Sequence, residues 1–225
     1  MILDKNLPEV LSRALASTSV LDVGGWFQPL NAATHVLDIE PYETRRQDNM
    51  IDPQNPERFA RDTWQRQDAC VTPWPYPDGA FDFSFCSHTL EDIRDPIGVC
   101  RELFRVARAG YIEIPSRVRE IYSKQRFAGL SRLAGRAPRI GDPHHRWMCE
   151  HIDGELQFFA KTPQVLENPR FYITRAETGR KLTADESGIG IFWEAPFPVS
   201  ERWAFDVDAL AVFKKQALHS IRAGS

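Results

Sequence analysis

Two apolar runs, residues 81–86 (FDFSFC) and 111–115 (YIEIP), bracket a segment whose apolar positions recur at helical spacing. The runs predict buried strands, and Ile97, Cys100, Leu103, Phe104 and Ala107 predict a helix between them. Asp95 can cap that helix, with Pro96 in its first turn where a missing N–H costs least, and Gly110 is placed to stop it. A strand, a helix and a strand joined so closely predict neighbouring parallel strands in a sheet covered on both faces. The polar cluster Ser87-His88-Thr89 leaves the carboxyl end of the first strand, where open α/β sheets place their ligands. Glu91-Asp92 reads as an acidic pair favoured at a helix start.

The same pattern extends in both directions. Residues 1–19 predict an amphipathic helix using Leu7, Val10, Leu11 and Ala14. Residues 20–23 (VLDV) run into Gly24-Gly25, which let the backbone turn tightly and approach a ligand. Residues 35–40 (HVLDIE) form a second strand whose tip carries Asp38, a carboxylate able to accept from paired hydroxyls. Further on, residues 145–152 and 155–160 meet across Asp153-Gly154, a type I′ hairpin signature. A two-residue turn pairs Ile152 with Glu155, His151 with Leu156, Cys149 with Phe158 and Trp147 with Ala160. Alternation puts His145, Trp147, Cys149 and His151 on the face of Leu156, Phe158 and Ala160, and sends Arg146, Glu150, Glu155, Gln157 and Lys161 to the wetter face. Residues 189–194 and 203–207 read as closing strands, and 214–225 as a frayed tail.

Three segments in order and spacing resemble class I S-adenosylmethionine-dependent methyltransferases, in the small-molecule, type 11-like branch. They are residues 19–25 (SVLDVGG), 35–40 (HVLDIE) and 74–96 (WPYPDGAFDFSFCSHTLEDIRDP), so the resemblance covers roughly residues 17–116. It implies a Rossmann-like doubly wound mixed sheet of the seven-stranded methyltransferase type. A basic helical insertion and a β-hairpin would follow the fifth strand. It assigns Asp22, Gly24 and Gly25 to the amino-acid end of S-adenosylmethionine, Asp38 to its ribose, Asp68 and Ala69 to its adenine, and Ser87 and His88 to the rim of the same site. Trp26 and Gln28 depart from the E/D-x-G-x-G-x-G loop at its second and third glycines. Trp26 is read as closing part of the cofactor pocket or as redirecting the loop outward.

Composition narrows the partners. The 225 residues suffice for one core, here expected as a single domain: a cofactor-binding core at 17–116, a basic lid and hairpin at 117–161, and closing strands and loops at 162–213. A net charge of −3 with 42% hydrophobic residues gives no bulk pull toward nucleic acid. No apolar run approaches the ~20 residues needed to span a bilayer, and a secretory pattern is not evident at the start, so a cytoplasmic protein is expected. Cys70, Cys86, Cys100 and Cys149 lack C-x-x-C spacing and read as reduced.

Residues 117–146 hold eight Arg or Lys against Glu120 and Asp142. Arg117, Arg132 and Arg136, with Trp147, are therefore candidates for binding a small, anionic acceptor, against the alternative of a solvated basic helix. His88, His144 and His145 are candidate bases for a hydroxyl or ammonium acceptor. Packing and metal-binding roles remain open for the hairpin histidines, with no metal expected. A nicotinamide-dependent oxidoreductase shares the strand–glycine opening but needs a G-x-G-x-x-G run and Tyr-x-x-x-Lys pair that are missing here. A non-catalytic binding module of the methyltransferase fold is the other rival.

Overall fold

The computed structural model describes residues 2–123, 139–162, 168, 170–203 and 207–223. The chain divides into two compact units, residues 1–114 with 190–199, and residues 115–189 with 200–225.

The first unit is built on a sheet whose central strands are buried along nearly their whole length, as strands covered on both faces are. The strands are β1 (Val20–Val23), β2 (His35–Asp38), β3 (Trp64–Arg66), β4 (Phe83–Ser87) and β5 (Gly110–Pro115), with β10 (Gly188–Trp193) beside β5. The order is β10-β5-β4-β1-β2-β3, six strands among the described residues. Pairings β1–β2, β1–β4, β2–β3 and β4–β5 are all parallel. Strand order reverses where β1 leads outward to β2 on one side and lies against β4 on the other, a topological switch point. Asp22 of β1 sits level with Val36 of β2 and Phe85 of β4 there.

Helix α1 (Leu7–Ala16) buries Val10 and Ala14, as its pattern predicts. Helix α2 (Pro96–Val106) starts where expected, with the Asp95 side chain accepting from the Gly98 N–H at 2.8 Å. It ends at Val106, and Gly110 opens β5 instead of stopping the helix. A Cβ at Gly110 would collide with Ser84 and Trp193, so close strand packing is what requires glycine there.

In the second unit, α3 (Arg117–Glu120) and β6 (Tyr122–Ser123) precede the hairpin β7 (Trp147–Ile152) and β8 (Glu155–Ala160), and β6 pairs in parallel with the short β9 (Ile173–Thr174). The hairpin register is the one its Asp-Gly turn sets, with Cys149 opposite Phe158 and Ile152 opposite Glu155. Asp153 at φ 52° and Gly154 at φ 78° supply the two positive angles that a type I′ turn needs. Burial departs from simple alternation. Met148 is buried as fully as Cys149, and Lys161, expected on the wetter face, is buried against Glu120. Both faces are covered around Met148 and Cys149, whereas His151, expected on the packed face, and Ile152 are exposed beside the turn. The closing segment also differs from its reading. Val207 opens a helix, Val207–Ala223, in place of a strand end and frayed tail, because Leu210, Ala217 and Ile221 recur on one buried helical face. Residues 204–206 lie outside the described residues.

Candidate functional site

At the tip of β1 the chain turns through Gly24 at φ +81°, and a side chain there would overlap Thr89. The Gly24 N–H donates to the Leu37 carbonyl at 2.9 Å, holding the turn against β2. Beneath it Asp22 is 1% exposed, and its Oδ2 accepts the Leu30 N–H at 2.9 Å. A Cβ at Gly25 would strike this carboxylate, so both glycines admit close backbone approach. Burial pushes the Asp22 carboxyl up to about 8, against the lowering effect of the Leu30 bond.

Asp38, at the tip of β2, is buried as well. Its Oδ2 accepts from the Trp26 N–H at 3.0 Å and its Oδ1 from the Glu40 N–H at 2.8 Å. Burial raises this carboxyl too, although both bonds oppose the rise. Asp22 and Asp38 thus rest on backbone N–H groups, and neither has a cation beside it among the described residues. The Trp26 indole N–H donates to the Thr44 carbonyl at 2.9 Å and to its hydroxyl at 3.0 Å. The ring packs half-buried against the core, while the next two residues, Phe27 and Gln28, line a cavity.

Asp68 follows β3 and accepts the Cys70 N–H at 2.8 Å while pairing with Arg94. Burial alone would raise its carboxyl; the bonds to Arg94 and Cys70 outweigh this and hold it low. Neighbouring Ala69 accepts the Trp74 indole N–H at 2.8 Å through its carbonyl.

At the end of β4, Ser87 Oγ is buried with no hydrogen-bond partner among the described residues. His88 stands at φ 52°, an uncommon angle for a side chain other than glycine. Its Nδ1 lies 3.1 Å from Glu91 and its Nε2 3.4 Å from Glu113, both carboxylates fully buried. Glu113 also accepts the Leu3 N–H at 2.9 Å and the Tyr111 hydroxyl. Burial would depress the His88 imidazole; the bonds to Glu113 and Glu91 outweigh that and raise it.

Asp22, Gly24, Phe27, Gln28, Ile51, Phe85, Ser87 and His88 line a cavity of about 70 Å³. That is room for the polar end of a ligand. Sequence reasoning did not single out Phe27, Ile51 or Glu113. Glu113 sits within an apolar strand, and an acid in such a run was the available signal.

The hairpin candidates are in the second unit. His145 is buried with Nδ1 2.8 Å from Glu120, whose other oxygen meets the Lys161 ammonium. Burial would raise the Glu120 carboxyl, but His145 and Lys161 hold it low. Glu120, Asp142 and His145 converge as closely as the ligands of a metal would, but Lys161 already places a cation on the central carboxylate. His144 is exposed, its ring 4.4 Å from that of His145. Arg117 pairs with Glu150 at 2.7 Å and Arg119 with Asp142 at 2.9 Å, so neither forms an outward basic face. Trp147 packs edge-on against Phe158. Arg132 and Arg136 lie outside the described residues.

Residues 23–112, which include the glycine turn, Asp38, Asp68 and the Ser87-His88 pair, match the family model described as a methyltransferase domain. Several solved structures resemble the chain. An S-adenosylmethionine-dependent methyltransferase from Mesorhizobium loti is 16% identical, with a TM-score of 0.36, covering 52% of this chain and 55% of that one. A second, from Aquifex aeolicus, is 17% identical, with a TM-score of 0.35 and coverage of 50% and 65%. The N-terminal domain of EvdMO1, solved in the presence of SAH and D-fucose, is 12% identical, with a TM-score of 0.34 and coverage of 96% and 71%. The matched part spans about half the length of several such structures. No curated protein matches the chain. Among the described residues, no helix of this chain is long and apolar enough to cross a membrane.

Proposed function

We propose that this protein transfers the methyl group of S-adenosylmethionine to a small-molecule acceptor. The observation that carries the reading is the pair of buried carboxylates, Asp22 and Asp38, held by backbone N–H groups at adjoining strand tips with no cation beside them among the described residues. A buried carboxylate is costly unless a cation or a ligand's donors compensate it. S-adenosylmethionine offers both kinds of compensation: an α-ammonium, and ribose hydroxyls able to donate.

The residues present fit such a ligand. The unpartnered Ser87 hydroxyl lines the small cavity together with the Gly24 backbone and Asp22, a polar end fit for an amino-acid group. Asp38 is suited to accept from ribose hydroxyls, and the Asp68–Ala69 segment to meet the base. When bound, the cofactor supplies a methyl group already activated on sulfur. What the protein contributes is placement and exclusion of water.

Among the three candidate bases, His88 is bracketed by Glu91 and Glu113 and held toward its charged form, which suits it to orient a carboxylate. His145 is committed to Glu120. His144 is exposed, with no hydrogen bond or ion pair to a carboxylate among the described residues, and of the three it is the imidazole best suited to act as a base.

Titration calorimetry tests the cofactor. S-adenosylmethionine and S-adenosylhomocysteine are expected to bind, methylthioadenosine, which lacks the amino-acid end, far more weakly, and NADH not at all. Failure of both sulfur nucleotides to bind would sink the reading, and the binding module would replace it.

A further inference from the structure

The second unit has an open pocket of its own, about 160 Å³, lined by Ser116, Arg117, Val118, Cys149, Glu150, His151, Ile152, Ile189 and Phe213. Arg117 is its unusual member. The side chain is 9% exposed, and its guanidinium is held between two rings, 4.2 Å from the centroid of Phe159 and 3.9 Å from that of Phe213. Rings on both faces leave only the in-plane edge of the guanidinium open to hydrogen bonding. Nη1 is taken by Glu150 at 2.7 Å. Nε is buried and has no partner among the described residues. A buried donor of this kind is costly, and such donors in native structures are generally met by something.

We propose that this pocket binds a small, largely apolar molecule that presents an uncharged oxygen, such as an amide, ester or hydroxyl, to Arg117 Nε. The charge of the partner follows from Glu150. Arg117 and Glu150 already neutralise each other, and both side chains are mostly buried. A second carboxylate would bring an uncompensated charge into that pocket, whereas a neutral oxygen satisfies Nε without one. Val118, Ile152, Ile189 and Phe213 supply apolar walls, so one directed polar contact among apolar contacts sets the ligand class. The inference is independent of the methyl-transfer reading, since every residue it uses belongs to the second unit.

Benzamide and benzoate differ in little but charge and serve as probes for the full chain, followed by NMR chemical-shift perturbation. Benzamide is expected to bind in the millimolar range and more tightly than benzoate. Arg117→Lys keeps a cation for Glu150 but loses Nε, and should weaken benzamide at least about tenfold, the scale of a hydrogen bond to a charged group. Because that variant disturbs a packed side chain, Ile152→Trp provides a second route. Ile152 is 45% exposed at the pocket wall, so a larger ring there should block the probe without altering the fold. Loss of benzamide binding in both variants supports the site. Tighter binding of benzoate overturns the uncharged assignment, and no benzamide shift in the wild-type protein, or unchanged binding in both variants, overturns the site.

Discussion

Buried carboxylates are handled in opposite ways in the two units. In the second, each carries a partner of opposite sign: Glu120 has Lys161 and His145, Glu150 has Arg117, and Asp142 has Arg119. In the first, Glu102 likewise has Arg105 at 2.7 Å, but Asp22 and Asp38 face backbone N–H groups with no cation beside them among the described residues, and Glu91 and Glu113 both meet the imidazole of His88. The switch point of the first unit's sheet therefore gathers buried carboxyl groups without counter-charges among the described residues, and burial keeps the Asp22 carboxyl protonated to about 8. Desolvation without a counter-charge is tolerated where a ligand supplies the missing cation, and active sites are where such strain accumulates.

Neutralising Asp22 in the first unit and removing Glu120 in the second should therefore have opposite effects on stability. The largest effect is expected at Asp22. Its carboxyl titrates at about 8 when folded, against an ordinary value of 3.8. Between these values the unfolded chain has released a proton that the folded chain keeps, so stability falls as pH rises through that window. The fall is bounded by about 1.4 kcal/mol per pH unit. Asp22→Asn mimics the protonated acid, so it should flatten this slope and raise the melting temperature at pH 7. It should also weaken S-adenosylmethionine binding. Melting curves from pH 4 to 8 decide it: a wild-type slope that survives in the variant would mean that Asp22 does not carry the pH dependence.

Glu120→Ala should do the reverse. It leaves the Lys161 ammonium and His145 without their shared partner, a loss of about 3–5 kcal/mol by analogy with other broken buried pairs. Cofactor binding, measured well below the melting temperature, should not change. A stable Glu120→Ala protein would erase the contrast between the units.

How much of this contrast could be read from the chain depends on whether the cause is local. The strand–helix–strand core and hairpin register are local, and periodicity with a cap or an Asp-Gly turn specified both. Asp22 and Asp38 were legible as acids at strand ends for the same reason. Charge compensation is not local. Glu120 finds Lys161 across 41 positions and Arg117 finds Glu150 across 33, so a basic stretch read as an outward lid begins with two arginines turned inward. The Trp26 anchor at Thr44 spans 18 positions, and only the fold shows that Phe27 and Gln28, rather than Trp26, narrow the cavity. The helix at 207–223 was missed because its apolar residues are not confined to one face, Val212 among them being exposed, so no clean stripe marks it.

The smallest expected effect sharpens the comparison within the first unit, between two strand tips. Asp38 caps two backbone N–H groups with no cation, while Asp68 pairs with Arg94, which is more than half exposed. Asp38→Ala orphans the Trp26 and Glu40 N–H groups, a cost of about 1–3 kcal/mol, or several degrees in a chain of this size. Asp68→Ala gives up a surface pair worth about 0–1 kcal/mol. Stability alone would then rank Asp38 above Asp68 by its role in holding the loop. The cofactor reading adds a separate demand: Asp38→Ala must also weaken S-adenosylmethionine by more than its loss of stability, and Asp38→Asn, which keeps an acceptor for one N–H, should recover melting temperature before it recovers affinity. Affinity and melting temperature that fall and recover together would assign Asp38 to the loop and leave Asp22, with the Ser87 hydroxyl, as the ligand-facing groups of the site.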